Sequence, residues 1–409
     1  MMPPKEVRNT IKLPSSKSIS NRVLVINALS GSEHEVKNVS DCDDTRVMVR
    51  ALTEDTPVVD IMAAGTAMRF LTAFFATREG CVKTMTGTER MRQRPIKILV
   101  DALRELGAEV EYVENEGFPP LRVKGHSLTR TEVTLQGNVS SQYISALLMI
   151  GPMMEQGFHL QLKGEVISRP YINLTLRLMR DFGAEADWVG ESEIRVSAKP
   201  YNPVPFTVEG DWSAASYWYE MVALASDADA EVVLPNLYAQ SYQGDSAVAR
   251  LFEQLGVVTH YDESTHRVTL RKNGRLAERM EYDFINQPDL AQTFVVTCAM
   301  LNVPFRFTGL QSLKIKETDR MAALMCELGK LGYVLREEDD RVLEWTGERC
   351  QPQEEAAIDT YEDHRMAMAF APACMVLGEL RINNPQVVSK SYPRYWEDLE
   401  KVGFLMRNE

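Results

Sequence analysis

The feature that most constrains the fold is an internal period of roughly 75 residues. An amphipathic run that ends in glycine and leads into a strand-like segment recurs five times. The copies are Leu-Arg-Glu-Leu-Gly107, Leu-Met-Arg-Asp-Phe-Gly183, Leu-Phe-Glu-Gln-Leu-Gly256, Glu-Leu-Gly-Lys-Leu-Gly332 and Leu-Glu-Lys-Val-Gly403, spaced about 71 to 76 residues apart. Glycine there suits the left-handed residue that follows a helix C-terminus. A second series keeps the same phase. Polar or small residues at Ser18, Gly65, Ser140, Ser213, Asp289 and His364 open apolar runs, among them Ser-Ala-Leu-Leu-Met-Ile and Met-Ala-Met-Ala-Phe-Ala. These runs are apolar almost all round, which predicts buried helices, while the glycine-ended helices should be amphipathic and face solvent. Strand-rich pieces such as Glu231–Leu234 and Arg267–Leu270 fall between them.

The chain therefore reads as about six copies of a motif with two helices and several short strands. A period this long exceeds that of most solenoids and suits a pseudo-symmetric α+β protein. The first interval, Ser18 to Gly65, is only about 47 residues. The stretch 51–64 should cross directly where other copies insert strands.

Composition narrows the function. Of 409 residues, 44% are hydrophobic and 25% charged, which excludes a disordered or collagen-like chain. The net charge of −13 makes general affinity for nucleic acid or anionic membrane a poor expectation. No apolar stretch is long enough for a membrane span, and the first ten residues lack the apolar core of a secretory signal. The six cysteines show no Cys-x-x-Cys and read as reduced thiols of a cytoplasmic protein. The six histidines form no metal-ligand pair, so a zinc site is not expected.

A buried helix with an open N-terminus favours anions, because unpaired N–H groups and the helix dipole act together. Ordinary N-capping would account for any one start; the accompanying cations make the group unusual. Lys17 and Arg22 flank Ser18. Arg90, Arg92 and Arg94 alternate, which in a strand or extended loop would place them on one face. Lys316 and Arg320, four apart, should share one face of an amphipathic helix whose apolar side carries Leu324, Leu328 and Leu331. Arg365 sits at a helix start, where a cation is disfavoured unless it meets an anion or acid.

These segments together resemble a family. Ser16-Lys17-Ser18-Ile-Ser-Asn21-Arg22, Ala64-Gly65-Thr66-Ala67-Met68-Arg69, Arg94-Pro95-Ile96, Ser140-Ser141-Gln142, Lys316-Glu317-Thr318-Asp319-Arg320 and Asp363-His364-Arg365-Met366-Ala367-Met368 are similar, in that order, to the motifs of the 5-enolpyruvylshikimate-3-phosphate synthases. The resemblance implies an α+β fold of two similar domains, each of about three βαβαββ copies, with the active site in the cleft between them. Chain order in that family implies domains of 15–241 and of 1–14 with 242–409. The implied reaction transfers the enolpyruvyl group of phosphoenolpyruvate to the 5-hydroxyl of shikimate 3-phosphate and releases phosphate, through a tetrahedral intermediate. No cofactor or metal is implied, and the family is usually monomeric.

Two phosphomonoesters and two carboxylates carry roughly five negative charges between them, so the substrates need many cations. Carried over motif by motif, Lys17, Ser18, Arg22, Ser140, Ser141, Gln142, Ser168, Tyr171, Asp289, Ser312 and Lys316 are expected at shikimate 3-phosphate. Lys17, Gly65, Arg94, Gln142, Arg320, Arg365 and Lys390 are expected at phosphoenolpyruvate. Asp289 is expected as base toward the 5-hydroxyl and Glu317 as the proton carrier for the methylene carbon. Lys17 shares the proton traffic, and His364 orients Glu317. The sequence departs from the family pattern at Ala63, where most members have Asn, at Phe70, where many have Pro, and in the short first copy. Sensitivity to glyphosate-type inhibitors turns on the first two.

Three rivals share parts of this reading. An enolpyruvyl transferase acting on UDP-N-acetylglucosamine would carry Lys-Asn at its start and a cysteine before its Arg-Pro; here Ser18 follows Lys17 and residues 86–94 hold no cysteine. A catalytically silent metabolite-binding relative would not be expected to keep Lys17, Asp289, Glu317 and the main anion ligands. An RNA-processing cyclase with related repeats would call for a basic surface and nucleotide-binding features, and neither is visible.

Overall fold

The computed structural model describes residues 1–407. The chain forms two compact units: Ser15–Val208, and Met1–Pro14 together with the chain from Glu209 onward. The chain leaves the first of these at Val208/Glu209, earlier than the 241/242 boundary drawn from sequence. The physical reason is strand pairing. Glu231–Pro235 lies parallel to Arg8–Thr10, and the Trp212–Leu224 helix packs in the same core, so both belong with the N-terminal segment.

Four sheets repeat one strand order. In Ser15–Val208, Val58–Asp60 runs parallel to Val82–Thr86, which pairs antiparallel with Leu121–Lys124 and that with Glu109–Tyr112. Glu132–Gln136, Phe158–Lys163, Glu193–Val196 and Ala186–Trp188 repeat the pattern. In the other unit, Arg8–Thr10, Glu231–Pro235, Arg267–Leu276 and Leu255–Asp262 form one such sheet, and Met280–Asp283, Phe305–Thr308, Val342–Trp345 and Arg336–Glu338 the next. A parallel pair requires a crossover, and the buried helix supplies it each time. The last repeat keeps only Ala357–Ile358 beside Arg381–Ile382.

The first repeat has lost its sheet. It retains helices Lys17–Leu29 and Asp43–Thr53 and one parallel bridge, Lys37 to Thr207. The missing stretch is the terminal antiparallel strand pair, because Asp43–Thr53 runs almost directly into the first strand of the next repeat.

The glycine series behaves as its spacing predicts. Gly107, Gly183, Gly256, Gly332 and Gly403 all have φ between 84° and 102°. Gly256 differs in place: it lies four residues beyond the short Val248–Phe252 helix, at a register shift inside Leu255–Asp262. The other series also holds. Helices Lys17–Leu29, Gly65–Ala76, Ser141–Ile150, Trp212–Leu224, Ala291–Leu301 and His364–Phe370 are each mostly buried. Within each unit three of them pack together, tied by polar contacts such as Ser216 Oγ to Thr293 Oγ1 at 3.1 Å.

Two local expectations fail. Arg90 and Arg92 lie on a one-turn helix, Glu89–Arg92, so the three arginines share no strand face. Thr88 caps that turn by accepting from the Met91 amide, and helix wins over the alternating pattern. Lys316 is not on the helix of Arg320 either. Asp319 caps Arg320–Lys330 by accepting from the Ala322 amide, so the helix starts after Lys316.

Candidate active site

In Ser15–Val208, three helix starts carry most of the expected substrate residues. The Ser16 hydroxyl accepts from the Ile19 amide and starts the first helix just before Lys17 and Ser18. Lys17 Nζ lies 3.3 Å from Asp44 Oδ2, and both side chains are largely enclosed. Asp44 stands on Asp43–Thr53, so the shortened repeat has kept the helix that supplies this counter-ion. Sequence reasoning missed Asp44; acids at a helix start read as ordinary dipole partners.

Arg22 is the most unusual cation of this unit. Its Nε donates to Thr175 Oγ1 at 2.7 Å, Nη1 to the Ser18 carbonyl at 2.9 Å, and Nη2 to Ser145 Oγ at 3.2 Å. The Phe70 ring lies under its guanidinium at 5.3 Å. All these partners are neutral. Burial pushes the guanidinium down to about 10. A buried cation without a carboxylate is costly, which is the electrostatic signature of a seat for an anion.

Gly65 opens the second helix. A Cβ there would stand 2.7 Å from Arg94 Nη1 and 2.9 Å from Arg69 Nη1, so only glycine lets both guanidiniums close on this helix start. Arg69 donates to the Gly65 and Pro95 carbonyls at 2.9 and 3.3 Å, and the Tyr143 hydroxyl donates to Pro95 at 2.7 Å. Gln142 Nε2 donates to Thr66 Oγ1 at 3.1 Å. Helices Gly65–Ala76 and Ser141–Ile150 are thereby locked around Arg94-Pro95. Ser140 caps the third helix by accepting from the Gln142 amide, and Ser141 is its first residue. Ser168 precedes Arg169–Asp181 in the left-handed region (φ 53°), and Tyr171 follows in that helix's first turn. Strain of this kind gathers at functional positions.

In the other unit the charged residues form one array around Asp289. Asp289 lies on the short turn Pro288–Leu290 ahead of the buried helix Ala291–Leu301. It accepts from Arg365 Nη2 at 2.9 Å, from Arg320 Nη1 at 3.3 Å and from Lys316 Nζ at 3.4 Å. Lys316 and Arg320 thus do meet, through a shared carboxylate rather than a shared helix face. Burial alone would raise the Asp289 carboxyl, but Arg365, Lys316 and Arg320 overcome it and hold the group far below the usual carboxylate range. Glu317 accepts from Arg320 Nη2 at 2.9 Å and lies 3.2 Å from Lys390 Nζ, which ends the short Pro385–Lys390 helix. Arg320 is raised despite its burial, by Asp363, Glu317 and Asp289.

Asp363 does two jobs. It caps His364–Phe370 by accepting from the Arg365 amide at 2.9 Å, and it accepts from Arg320 Nε at 2.7 Å. It is fully buried, and so is His364, whose Nδ1 is 3.8 Å from Asp363 Oδ1. Arg365 also donates to Tyr217 Oη and Ser213 Oγ at 3.3 and 3.4 Å. Burial pushes the Tyr217 phenol up to about 12, so it remains a neutral partner. Ser312 lies on the turn Gln311–Ile315 that leads into Lys316.

The array holds four cations, Lys316, Arg320, Arg365 and Lys390, against three carboxylates. Arginines with paired N–H groups match phosphate and carboxylate oxygens. Two carboxylates beside them, Asp289 and Glu317, are of the kind that take and deliver protons at an anionic substrate. Among the described residues, no group of histidine, cysteine, aspartate or glutamate is disposed to hold a metal ion, and no helix is long and apolar enough to cross a membrane.

Comparison with known proteins agrees with this chemistry. A family model described as EPSP synthase (3-phosphoshikimate 1-carboxyvinyltransferase) matches residues 1–55 and 53–399. A curated 3-phosphoshikimate 1-carboxyvinyltransferase from Bacteroides fragilis is 62% identical over 401 residues, covering 98% of this chain and 97% of that protein. Its counterpart from Cellvibrio japonicus is 38% identical, covering 98% of each. Among solved structures, EPSP synthase from Acinetobacter baumannii has the same fold (TM-score 0.77, 19% identity, 98% of this chain and 97% of that one). The enolpyruvyl transferase NikO from Streptomyces tendae is similar in fold too (TM-score 0.72, 15% identity, 98% and 96%).

Proposed function

The chain belongs to the EPSP synthase (3-phosphoshikimate 1-carboxyvinyltransferase) family, and from that premise we propose that it transfers the enolpyruvyl group of phosphoenolpyruvate to the 5-hydroxyl of shikimate 3-phosphate. The observation that carries this reading is the Asp289 carboxylate under Arg365, Arg320 and Lys316, with Glu317 held beside it on Arg320 and Lys390.

In the first step the 5-hydroxyl oxygen bonds to C2 of phosphoenolpyruvate while the C3 methylene gains a proton. Asp289 takes the hydroxyl proton, Glu317 delivers the proton to C3, and Lys17 shares this traffic. In the second step C3 returns a proton to Glu317, the C2–O bond to phosphate breaks, the double bond is restored, and the hydroxyl proton held by Asp289 leaves with the phosphate. His364 is assigned the orienting of Glu317. In the unliganded protein both carboxylates are masked by cations. When the phosphate and carboxylate of phosphoenolpyruvate take over Arg320, Arg365 and Lys390, the carboxylates are released for proton transfer; Arg94 and the Gly65 amide are assigned to phosphoenolpyruvate by the resemblance of their motifs.

By the resemblance of their motifs, Lys17, Ser18, Arg22, Ser140, Ser141, Gln142, Ser168, Tyr171, Asp289, Ser312 and Lys316 are assigned to shikimate 3-phosphate. Arg22, buried and facing only neutral partners, supplies a positive charge that an anionic group of this substrate neutralises.

The test is phosphate release on mixing the purified protein with both substrates, with each omitted in turn. Release that requires both is expected. Asp289→Asn should lower turnover by about 10²- to 10⁴-fold, the usual worth of a general base, while shikimate 3-phosphate still binds. A near-normal rate in this variant would remove the role given to Asp289. No release from the folded parent protein would remove the reaction.

A further inference from the structure

The turn that delivers Asp363, His364 and Arg365 is built in an unusual way. Tyr361 and Glu362 are consecutive non-glycine residues in the left-handed region, with φ of 53° and 56°. Such residues cost roughly 1–2 kcal/mol each relative to ordinary backbone. A strained turn persists only where its surroundings over-determine it. Here they do so at both ends.

One end is Asp363, whose amide donates to the Thr360 carbonyl at 2.8 Å and whose carboxylate grips Arg320. The other end is a buried carboxylate that the reaction does not use. Glu327 stands on Arg320–Lys330, two turns beyond Arg320 and so on the same helix face. It is fully enclosed and collects three donors: the Tyr361 hydroxyl at 2.5 Å, the Asp359 amide at 3.0 Å and Lys330 Nζ at 2.7 Å. Lys330 also binds Asp359 at 2.8 Å. The turn is thus pinned to one helix twice, at Glu327 and at Arg320. The Tyr361 phenol is pushed up by burial, by the Cys326 thiol and by Glu327, so it stays protonated and keeps donating.

We infer that Tyr361, acting through Glu327, is a positioning residue for the phosphoenolpyruvate side of the site. It sets where Asp363 stands against Arg320 and hence how the Arg320 and Arg365 guanidiniums are aimed. The inference rests on the reading that these two arginines hold phosphoenolpyruvate. Tyr361 does not touch the reacting atoms. Its contribution is to stop the turn relaxing to ordinary backbone, a change that would carry Arg365 and the cap of its helix with it.

Tyr361→Phe tests this, since it removes one hydroxyl from a partly exposed ring. In the phosphate-release assay, KM for phosphoenolpyruvate should rise about tenfold, the order expected for losing a hydrogen bond to a charged group. KM for shikimate 3-phosphate should stay within about twofold, and the thermal midpoint close to the parent's. Glu327→Gln should shift the same constant, and the double variant should add little to either single change. Glu362→Asn keeps the clamp and suits the left-handed position, so it should leave both constants unchanged. An unaltered KM for phosphoenolpyruvate in Tyr361→Phe would overturn the inference alone. So would a parallel rise in both constants with a fall in thermal midpoint, which would mean general loosening. A parent protein that releases no phosphate would overturn the enzymatic reading and this inference with it.

Discussion

At the scale of single residues, the charges of the Ser15–Val208 unit are not balanced for stability. Lys17 has Asp44, but Arg22 has only hydroxyls, a carbonyl and an aromatic ring. Its lowered proton affinity means that at every pH below about 10 the folded protein bears the cost of the buried charge, a cost relieved only as pH rises through that value. Replacing a buried charge with an apolar side chain of similar size is often neutral or stabilising. Arg22→Met should therefore leave the unliganded protein as stable or about 1 kcal/mol more stable, while KM for shikimate 3-phosphate rises by about 100-fold. Thermal unfolding beside steady-state kinetics checks both halves, and a large loss of stability would show that the neutral cage suffices for Arg22. The residues legible in the sequence were those carried by compact motifs: Lys17, Gly65, Asp289, Glu317, Arg320 and Arg365. Asp44, Glu327 and Tyr361 escaped because each acts through a partner about 27 to 34 positions away, and no local spacing encodes such a pairing.

At the scale of elements, the buried helices and their starts could be read because an all-round apolar run has few other solutions. Errors fell where elements are a single turn long. Glu89–Arg92 is a helical turn where the alternating arginines would suit an extended loop, and Lys316 lies ahead of the helix that its spacing to Arg320 implies. In both places a side-chain cap, from Thr88 or Asp319, decides the boundary against the charge pattern. The connection into the second repeat's buried helix shows another local decision. Met62 is half exposed and left-handed at φ 51°, its amide bonded to Asp60 Oδ1 and its carbonyl to the Thr88 amide. A bulky residue there is a true outlier. Met62→Gly removes roughly 1–2 kcal/mol of strain and returns about 0.5–1 kcal/mol through the freer unfolded chain. A net gain of about 0.5–1 kcal/mol, or roughly 1–4 °C in thermal midpoint for a domain of this size, is expected from calorimetry. A fall in midpoint would mean that the bonds to the Asp60 carboxylate and the Thr88 amide hold Met62 without strain.

At the scale of the whole molecule, the sixfold period was visible because every repeat keeps both helices even where strands are lost. The second passage between units, at Val208/Glu209, comes earlier than the boundary implied by the family's chain order, because Glu231–Pro235 pairs with Arg8–Thr10. The Ser15–Val208 unit is one continuous stretch with two complete four-stranded sheets and three packed helices of its own. Expressed alone, residues 15–208 should unfold in one cooperative transition; a gradual, non-cooperative melt would show that the unit does not stand by itself. The other unit has a different problem, one of timing. Its edge strand, Arg8–Thr10, is made first, while its partner Glu231–Pro235 follows roughly two hundred residues later. At the usual pace of synthesis, about 5–20 residues per second, that strand waits on the order of 10–40 s with its hydrogen-bonding edge unpaired. During that interval the whole of the neighbouring unit can fold. The order of manufacture thus leaves Arg8–Thr10 waiting longest of the four strands of its sheet, and makes the nascent protein most exposed to wrong pairings just before Glu231–Pro235 emerges.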